Sequence, residues 1–498
     1  MPINRRAFLH AAGLGAAVAT IGGCGGPQTT SPPQRGSSDP PVDFPALARK
    51  LSGPLITPDQ PGYHLARRSF NPLFDNRRPA AIAQCRRIED VQACVSAAAA
   101  ARAPIAARSG GHSYPGYSTP DGALIVDLSG MSSVEVNANG TAVIGGGARL
   151  IDVYTALAGA GRCLPAGSCP SVGIAGLTLG GGIGVLSRKY GLTCDRLLSA
   201  TVITADGIAR TVSASAQPDL FWALRGGGGG NFGIVTSFNF DTVPAPQLTV
   251  FQLDFPAGSV PDVLGGWQQW IINMPDELWS KCNIIGGSPP SGTVIGCYVG
   301  PAIGLNPLLT DLTHRIGNLQ PTLRIVAEHD CLNAMRYFAG CSDKSAAECH
   351  DQASGPQWNR EAFVATSRIV TEPMADPGRI VSVFDGRRVI AMVDGLRGAV
   401  GRVRPADTAF PHRGALATMQ IYLGTSLAER TAAASSMAQM RDQLTGLVGG
   451  GAYVNYLDAG MPNWAQAYYA DNLTRLRQVA QRYDPDRLFT FPQAITSG

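Results

Sequence analysis

The chain has 498 residues, too long for one ordinary hydrophobic core, so two domains are expected once any export signal is removed. Its 45% hydrophobic and 15% charged residues exclude a disordered chain, and its 60 glycines predict many tight turns or close backbone approaches. The formal charge of +4 is small for this length, and Lys and Arg are scattered without interleaved aromatics, which argues against nucleic acid as a partner.

Asn4-Arg5-Arg6-Ala7-Phe8-Leu9-His10 resembles a twin-arginine export signal, and small apolar residues follow from Ala11 to Ile21. That stretch is too short to span a bilayer comfortably and reads as a signal peptide. Ile21-Gly22-Gly23-Cys24 then resembles a bacterial lipoprotein box in which Cys24 becomes the lipid-modified first residue. The plainer alternative is an ordinary cleaved signal with Cys24 as an incidental thiol. Residues 1–24 are thus expected to be a signal, and 25–43, rich in Gly, Pro, Ser, Thr and Gln, a flexible linker. The expected location is the outer face of the bacterial cytoplasmic membrane or the cell envelope, with lipid at Cys24 as the only membrane attachment.

Residues 44–243 alternate short strands, glycine turns and helices. Periodicity predicts a helix over Ile88–Arg102, a strand over Pro104–Arg108 and a strand over Ala142–Gly145. A helix over Arg149–Ala160, a hairpin over Leu198–Val212 turned at Asp206-Gly207, and a strand over Phe232–Phe240 follow. Residues 246–440 hold less glycine and more aromatics, a pattern expected of an antiparallel sheet backed by helices. The last block opens with the strand-like Ala452–Leu457 and continues in a predicted helix, Trp464–Arg482, with Leu473, Leu476, Val479 and Tyr483 at helical spacing. Asp484-Pro485-Asp486-Arg487 ends it as a turn.

Besides Cys24 and Cys169 there are nine cysteines, among which Cys331, Cys341 and Cys349 lie close enough in sequence to pair. There is no Cys-x-x-Cys pair and no His cluster at zinc spacing, so no metal site is expected.

Four segments carry chemistry. In Arg108-Ser109-Gly110-Gly111-His112-Ser113, paired glycines after a strand let backbone N–H groups approach an anion, with His112 facing it. The second runs from Gly167-Ser168-Cys169-Pro170-Ser171-Val172-Gly173 through Gly176, Gly180, Gly181, Gly182 and Gly184. Its glycines are too many and too spread for a dinucleotide fingerprint, and read better as chain laid along an extended ligand. The third is Arg225 to Val235, with five consecutive glycines and Ile234; the fourth is Tyr453-Val454-Asn455-Tyr456.

In this order the four segments resemble the berberine bridge enzyme-like flavoproteins of the vanillyl-alcohol oxidase superfamily, from about residue 60 to the C-terminus. The resemblance implies a two-domain α+β fold: a split FAD-binding domain, 44–243 with 445–498, and an antiparallel-sheet substrate domain with helices, 246–440. It implies FAD attached twice, through His112 to the 8α carbon (8α-histidyl) and through Cys169 at C6 (6-S-cysteinyl). It further implies flavin contacts from Arg108, Ser109, Gly110, Gly111, Ser113, Val172, Gly173, Gly176, Gly180, Gly181, Gly182, Gly184, Ile234 and Asn455. Tyr456 takes the place of the proton acceptor, and Val172 that of the residue admitting O₂. Leu177 departs from the family, many members of which have His there. Twin-arginine export, which carries folded proteins with cofactor inserted, suits such an enzyme. Tyr117 is either a pocket residue or a packed tyrosine; Trp267, Trp270 and Trp279 either stack on a sugar or pack helices. The expected reaction is oxidation of a small-molecule alcohol, sugar hemiacetal or natural-product carbon centre, with hydride passing to flavin N5 and O₂ yielding H₂O₂. Two alternatives stay open: a dehydrogenase delivering electrons to a quinone or another acceptor, and a non-catalytic solute-binding lipoprotein.

Overall fold

The computed structural model describes residues 41–354 and 359–497. The export signal, Cys24 and the linker as far as residue 40 lie outside the described residues.

The first unit contains two main sheets. Leu55–Ile56 (β1), Ala81–Gln84 (β2), Ile105–Arg108 (β3) and Leu124–Asp127 (β4) form one in the order β1-β2-β4-β3, with β2, β4 and β3 mutually parallel. Val134–Val136 (β5), Thr141–Gly145 (β6), Leu197–Ile203 (β8), Ala209–Ser213 (β9) and Ile234–Asp241 (β10) form the other, antiparallel in the order β5-β6-β10-β8-β9. Between them Arg162–Cys163 (β7) pairs with Val243–Pro244 (β11). The helix Ile88–Ala100 buries Val91, Cys94, Val95 and Ala98 along one stripe, the 3.6-residue period visible in its sequence. Because β2, β3 and β4 run parallel, their carboxyl ends lie together, and the glycine loop after β3 opens there, where ligands of parallel sheets gather.

The second unit is a seven-stranded antiparallel sheet. Its strands are Leu248–Phe255 (β12), Leu278–Ile285 (β13), Ser291–Val299 (β14), Leu323–His329 (β15), Phe363–Val370 (β16), Ile390–Gly395 (β17) and Ala417–Gly424 (β18). They stand in the order β15-β12-β14-β13-β17-β18-β16. Strand alternation divides the two faces. Cys282, Ile284, Ala391, Val393, Met419 and Ile421 are fully buried against the helices Val260–Ile272, Ala302–Arg315, Pro377–Ser382 and Arg430–Val448. Trp279, Lys281, Met392, Asp394, Gln420 and Tyr422, the intervening residues, face the opposite way and line a cavity. The vanillyl-alcohol oxidase-type α+β architecture expected from the sequence is therefore present.

Two local expectations differ. Ala452–Leu457 forms no strand; Val454–Tyr456 is a single 3₁₀ turn. The helix expected over Trp464–Arg482 is two helices, Trp464–Tyr469 and Leu473–Tyr483, because Ala470 takes φ 44° and ends the first. Among the three neighbouring cysteines, Cys341 and Cys349 form a disulfide and Cys331 lies elsewhere.

Candidate active site

The cavity lies where the glycine loops of the first unit meet the inner face of the seven-stranded sheet. Two loops build its floor. Ser109 to Ser113 leaves the end of β3, and its root is fixed by Arg108, which pairs with Asp127 on β4 and donates to the carbonyl of Ala66 at 2.6 Å. Ser109 Oγ donates to Gly146 O at 2.6 Å. The other loop, Gly167 to Gly173, crosses it so closely that a Cβ on Gly110 would lie 2.2 Å from Gly173 N, and one on Gly173 2.1 Å from Ser109 Oγ. Arg149 fastens the two together, donating from Nη1 to Ser171 O at 2.7 Å and to Gly110 O at 3.4 Å.

This crossing brings His112 and Cys169 to one wall. Ser171 Oγ lies 2.8 Å from His112 Nε2 and 3.6 Å from Cys169 Sγ. Phe70 stacks on the imidazole with centroids 3.9 Å apart and an 18° tilt, which orients the ring. Val172 and Leu177 line the same cavity. Gly176 and Gly229 are open to it: a Cβ on Gly176 meets no atom within 4 Å, and one on Gly229 meets only Leu179, at 3.8 Å. Bare backbone of this kind accommodates a long, flat group lying along the chain, and FAD fits it.

Of the flavin contacts expected from the sequence, Ser109, Gly110, Gly111, His112, Ser113, Cys169, Val172, Gly173, Gly176, Gly184, Ile234 and Asn455 line the cavity, as do Tyr456 and Tyr117. Arg108, Gly180, Gly181 and Gly182 do not. Arg108 is an anchor for β3 and β4, as described. Gly180 leaves room for Asn455, whose Oδ1 would sit 2.0 Å from a Cβ there; Gly181 and Gly182 pack on Phe410 and Thr193. Trp267 and Trp270 are wholly buried, donating to Ser280 Oγ and Leu308 O, so they pack a helix, whereas Trp279 reaches the cavity. Tyr117 meets Phe491 with centroids 5.3 Å apart, and burial pushes its phenol up to about 12.

Tyr456 stands against two other tyrosines, stacked on Tyr114 with centroids 5.9 Å apart and edge-on to Tyr453 at 5.0 Å. Its turn is tied to the glycine loop: the N–H of Gly182 and Nδ2 of Asn455 both donate to Tyr453 Oη at 2.9 Å, and Asn455 Nδ2 also donates to Leu177 O at 2.9 Å. Asp394 is the residue that motif reading missed. It accepts from Trp279 Nε1 at 2.7 Å and lies directly across from Lys281 in the β13–β17 ladder. Burial pushes its carboxyl up to about 6 against the pull of Lys281 and the Trp279 hydrogen bond. A carboxylate raised toward neutrality inside a cavity marks a candidate base. Its only sequence signal is the period-2 placement of Asp394 in an apolar strand.

Comparison with known proteins agrees with this arrangement. Residues 79–213 match the family described as FAD binding domain, and 452–496 the one described as berberine and berberine like. The chain is 33% identical to the xylooligosaccharide oxidase of Thermothelomyces thermophilus over 84% of this chain and 87% of that one. It is 32% identical to the chitooligosaccharide oxidase of Gibberella zeae, over the same shares. The structure of Physcomitrella patens BBE-like 1 superposes with a TM-score of 0.84 at 29% identity, covering 91% of this chain and 99% of that one. Fold and cavity thus define a flavin oxidoreductase of the vanillyl-alcohol oxidase type. Within that class the chain belongs to the berberine bridge enzyme-like FAD-linked oxidoreductases, a family that includes oligosaccharide oxidases.

Proposed function

We propose that this protein oxidises the hemiacetal carbon of a carbohydrate to the lactone, using FAD linked to both His112 and Cys169 and O₂ as acceptor. The observation that carries the double link is the meeting of both side chains at Ser171 Oγ on a glycine-walled cavity. FAD held by these loops would supply the two-electron acceptor for the hydride of the substrate carbon, with O₂ as the final acceptor leaving as hydrogen peroxide. The carbohydrate reading rests on the similarity to chitooligosaccharide, xylooligosaccharide and glucooligosaccharide oxidases, and on a substrate wall that mixes Trp279 and Tyr422 with the polar Asp394 and Gln420. Val172 on the cavity wall suits access by O₂.

Tyr456 is the proton acceptor of this reading. A phenol starts at about pKa 10, so to take a proton near neutrality it needs a nearby cation or hydrogen-bond donors, or a second base to receive its own proton. Asp394 is that base. Phe70 and Ser171 hold the His112 ring, and Arg149 keeps the two linking loops in register. Residues 44–243 with 445–498 form the flavin unit, and 246–440 the substrate unit. Export by the twin-arginine route, with lipid at Cys24, would set the enzyme on the outer face of the membrane, where sugars reach it.

The test is the visible spectrum of the purified protein before and after acid denaturation, with His112→Ala, Cys169→Ala and the double variant, followed by peroxide release from xylo-, chito- and gluco-oligosaccharides. Flavin should stay with the denatured protein in each single variant and separate from the double. Free flavin released from the unaltered protein would refute the double link. Oxidation of alcohols but of no sugar would refute the substrate class, and reduced enzyme that air fails to reoxidise would make it a dehydrogenase.

A further inference from the structure

We propose that Cys163 and Cys331 form a second disulfide, which staples the substrate unit to the flavin unit behind the flavin loops. The two residues stand 168 positions apart, yet their sulfurs lie 2.7 Å from one another, closer than unbonded sulfurs rest. Both are buried, at 1% and 4% exposure. Cys163 ends β7 in the flavin unit; Cys331 opens the helix Cys331–Phe338 after β15 of the substrate sheet.

The surroundings give the pairing a purpose. The segment from Cys331 to His350 packs against the helix Leu150–Gly159. Cys341 and Cys349, already joined, pack on Ile151, and His350 Nδ1 lies 2.6 Å from Asp152 Oδ1. That helix begins beside Arg149, the residue that holds the carbonyls of Gly110 and Ser171. A bond between Cys163 and Cys331 therefore fixes the substrate unit to β7, which packs on the helix whose first turn braces the His112 and Cys169 loops.

Forming the bond removes two protons and two electrons from the thiols. The electrons go to an incoming disulfide, that of a thiol–disulfide oxidoreductase or of oxidised glutathione, which leaves as two thiols. The adjoining Cys331 thiol and then burial raise the Cys163 thiol well above its ordinary range, and neither sulfur is reachable in the folded chain. Exchange thus takes place before the 331–350 segment docks, and docking then shields the bond from reductants. Cys297 is buried in the same cluster and is the competing partner.

The inference does not rest on the flavin reading and is tested apart from it. Full-length protein is denatured in an alkylating agent without reductant, digested and mapped by mass spectrometry, and a second aliquot is first refolded with oxidised glutathione. The expected map has a Cys163–Cys331 peptide beside the Cys341–Cys349 one, in the refolded aliquot whatever the redox history of the first. Alkylated Cys163 and Cys331 in the refolded aliquot would overturn the proposal, as would Cys331 joined to Cys297. Cys331→Ala should lower the melting temperature by about 5 °C. Dithiothreitol present during refolding should lower that of the unaltered protein as far, and that of Cys331→Ala much less. Equal sensitivity of the two proteins to dithiothreitol would assign the effect to Cys341–Cys349 and count against the staple.

Discussion

At Gly173, the cap of the helix Ile174–Leu179, and Gly176, within that helix, two demands on glycine separate. A methyl on Gly173 would overlap Ser109 Oγ and Gly110 N, so Gly173→Ala must push the two crossing loops apart, at a cost of about 1–3 kcal/mol. A methyl on Gly176 meets no protein atom, and alanine is the better helix former by about 1 kcal/mol, so Gly176→Ala should fold at least as well as the parent. The same methyl enters the cavity, however, and flavin content should fall. Melting curves and the flavin-to-protein absorbance ratio distinguish the two variants; full flavin loading in Gly176→Ala would show that the cofactor does not lie along that backbone. Asp394 offers a second test, through pH. Its folded carboxyl, raised to about 6, binds a proton more tightly than the unfolded one near 3.8. The stability it contributes is therefore complete below pH 3.8 and is lost as pH rises through 6. Asp394→Asn should be about 1–3 kcal/mol more stable than the parent at pH 8 and close to it at pH 4. In the parent, kcat/KM should rise through pH 6 as the carboxylate forms. The variant should lack that limb and lose about 100-fold or more in activity. An unchanged pH profile would remove Asp394 from the proton path.

Among the elements, the turn Val454–Tyr456 has the most consequence for its size, because it carries Tyr456 and Asn455. Tyr453, just before it, is the buried peg. Its hydroxyl oxygen accepts from Gly182 and Asn455, while its backbone N–H donates to Ser367 Oγ on β16. Tyr453→Phe strands the buried Gly182 N–H and should cost about 1–3 kcal/mol. Asn455 keeps its bond to Leu177 O, so the turn loosens without unfolding, and kcat should fall more than KM rises. Wild-type kcat in this variant would mean that the turn is positioned by packing alone. These residues are legible in the sequence but their backbone is not, since Ala452–Leu457 alternates as a strand does. What overrides the alternation is tertiary hydrogen bonding of the turn to a glycine loop some 270 positions away, which no local pattern records. The break at Ala470 is equally illegible, because alanine carries no stop signal and rarely takes the left-handed φ of 44° that it has here. Helices with a clean apolar stripe, such as Ile88–Ala100, were legible to within two residues.

For the molecule as a whole, the question is what fixes one unit against the other, since the cavity takes its walls from both. Sequence alternation announced a helix-backed antiparallel sheet. The order β15-β12-β14-β13-β17-β18-β16, and the alignment of its central strands over the flavin loops, depend on crossovers and docking that alternation does not encode. Buried arginines do much of the docking, and in the sequence they look like any surface arginine. Arg188, beside the flavin loops, donates to the carbonyls of Leu278 at 2.7 Å, Met274 at 2.9 Å and Leu396 in the substrate unit. Arg413, ahead of β18 and 1% exposed, grips Asp195 of the flavin unit with both terminal nitrogens, at 2.7 and 2.8 Å. A buried pair of this kind contributes little compared with an apolar substitute, but breaking it from one side leaves an uncompensated charge. Arg413→Met should therefore destabilise the protein by about 3–5 kcal/mol. Arg413→Met with Asp195→Asn should recover most of that loss, because the amide oxygen still accepts from Leu192 N–H, as Asp195 Oδ2 does at 2.8 Å. Urea midpoints of the parent, the single and the double variant, followed by circular dichroism and by flavin fluorescence, make the comparison. If the single variant unfolds at the parent's midpoint, the ion pair does not hold the units together and the apolar contact around the cavity must. If the double is no more stable than the single, the loss comes from the missing guanidinium contacts, such as that to Thr408 Oγ1, rather than from the stranded carboxylate.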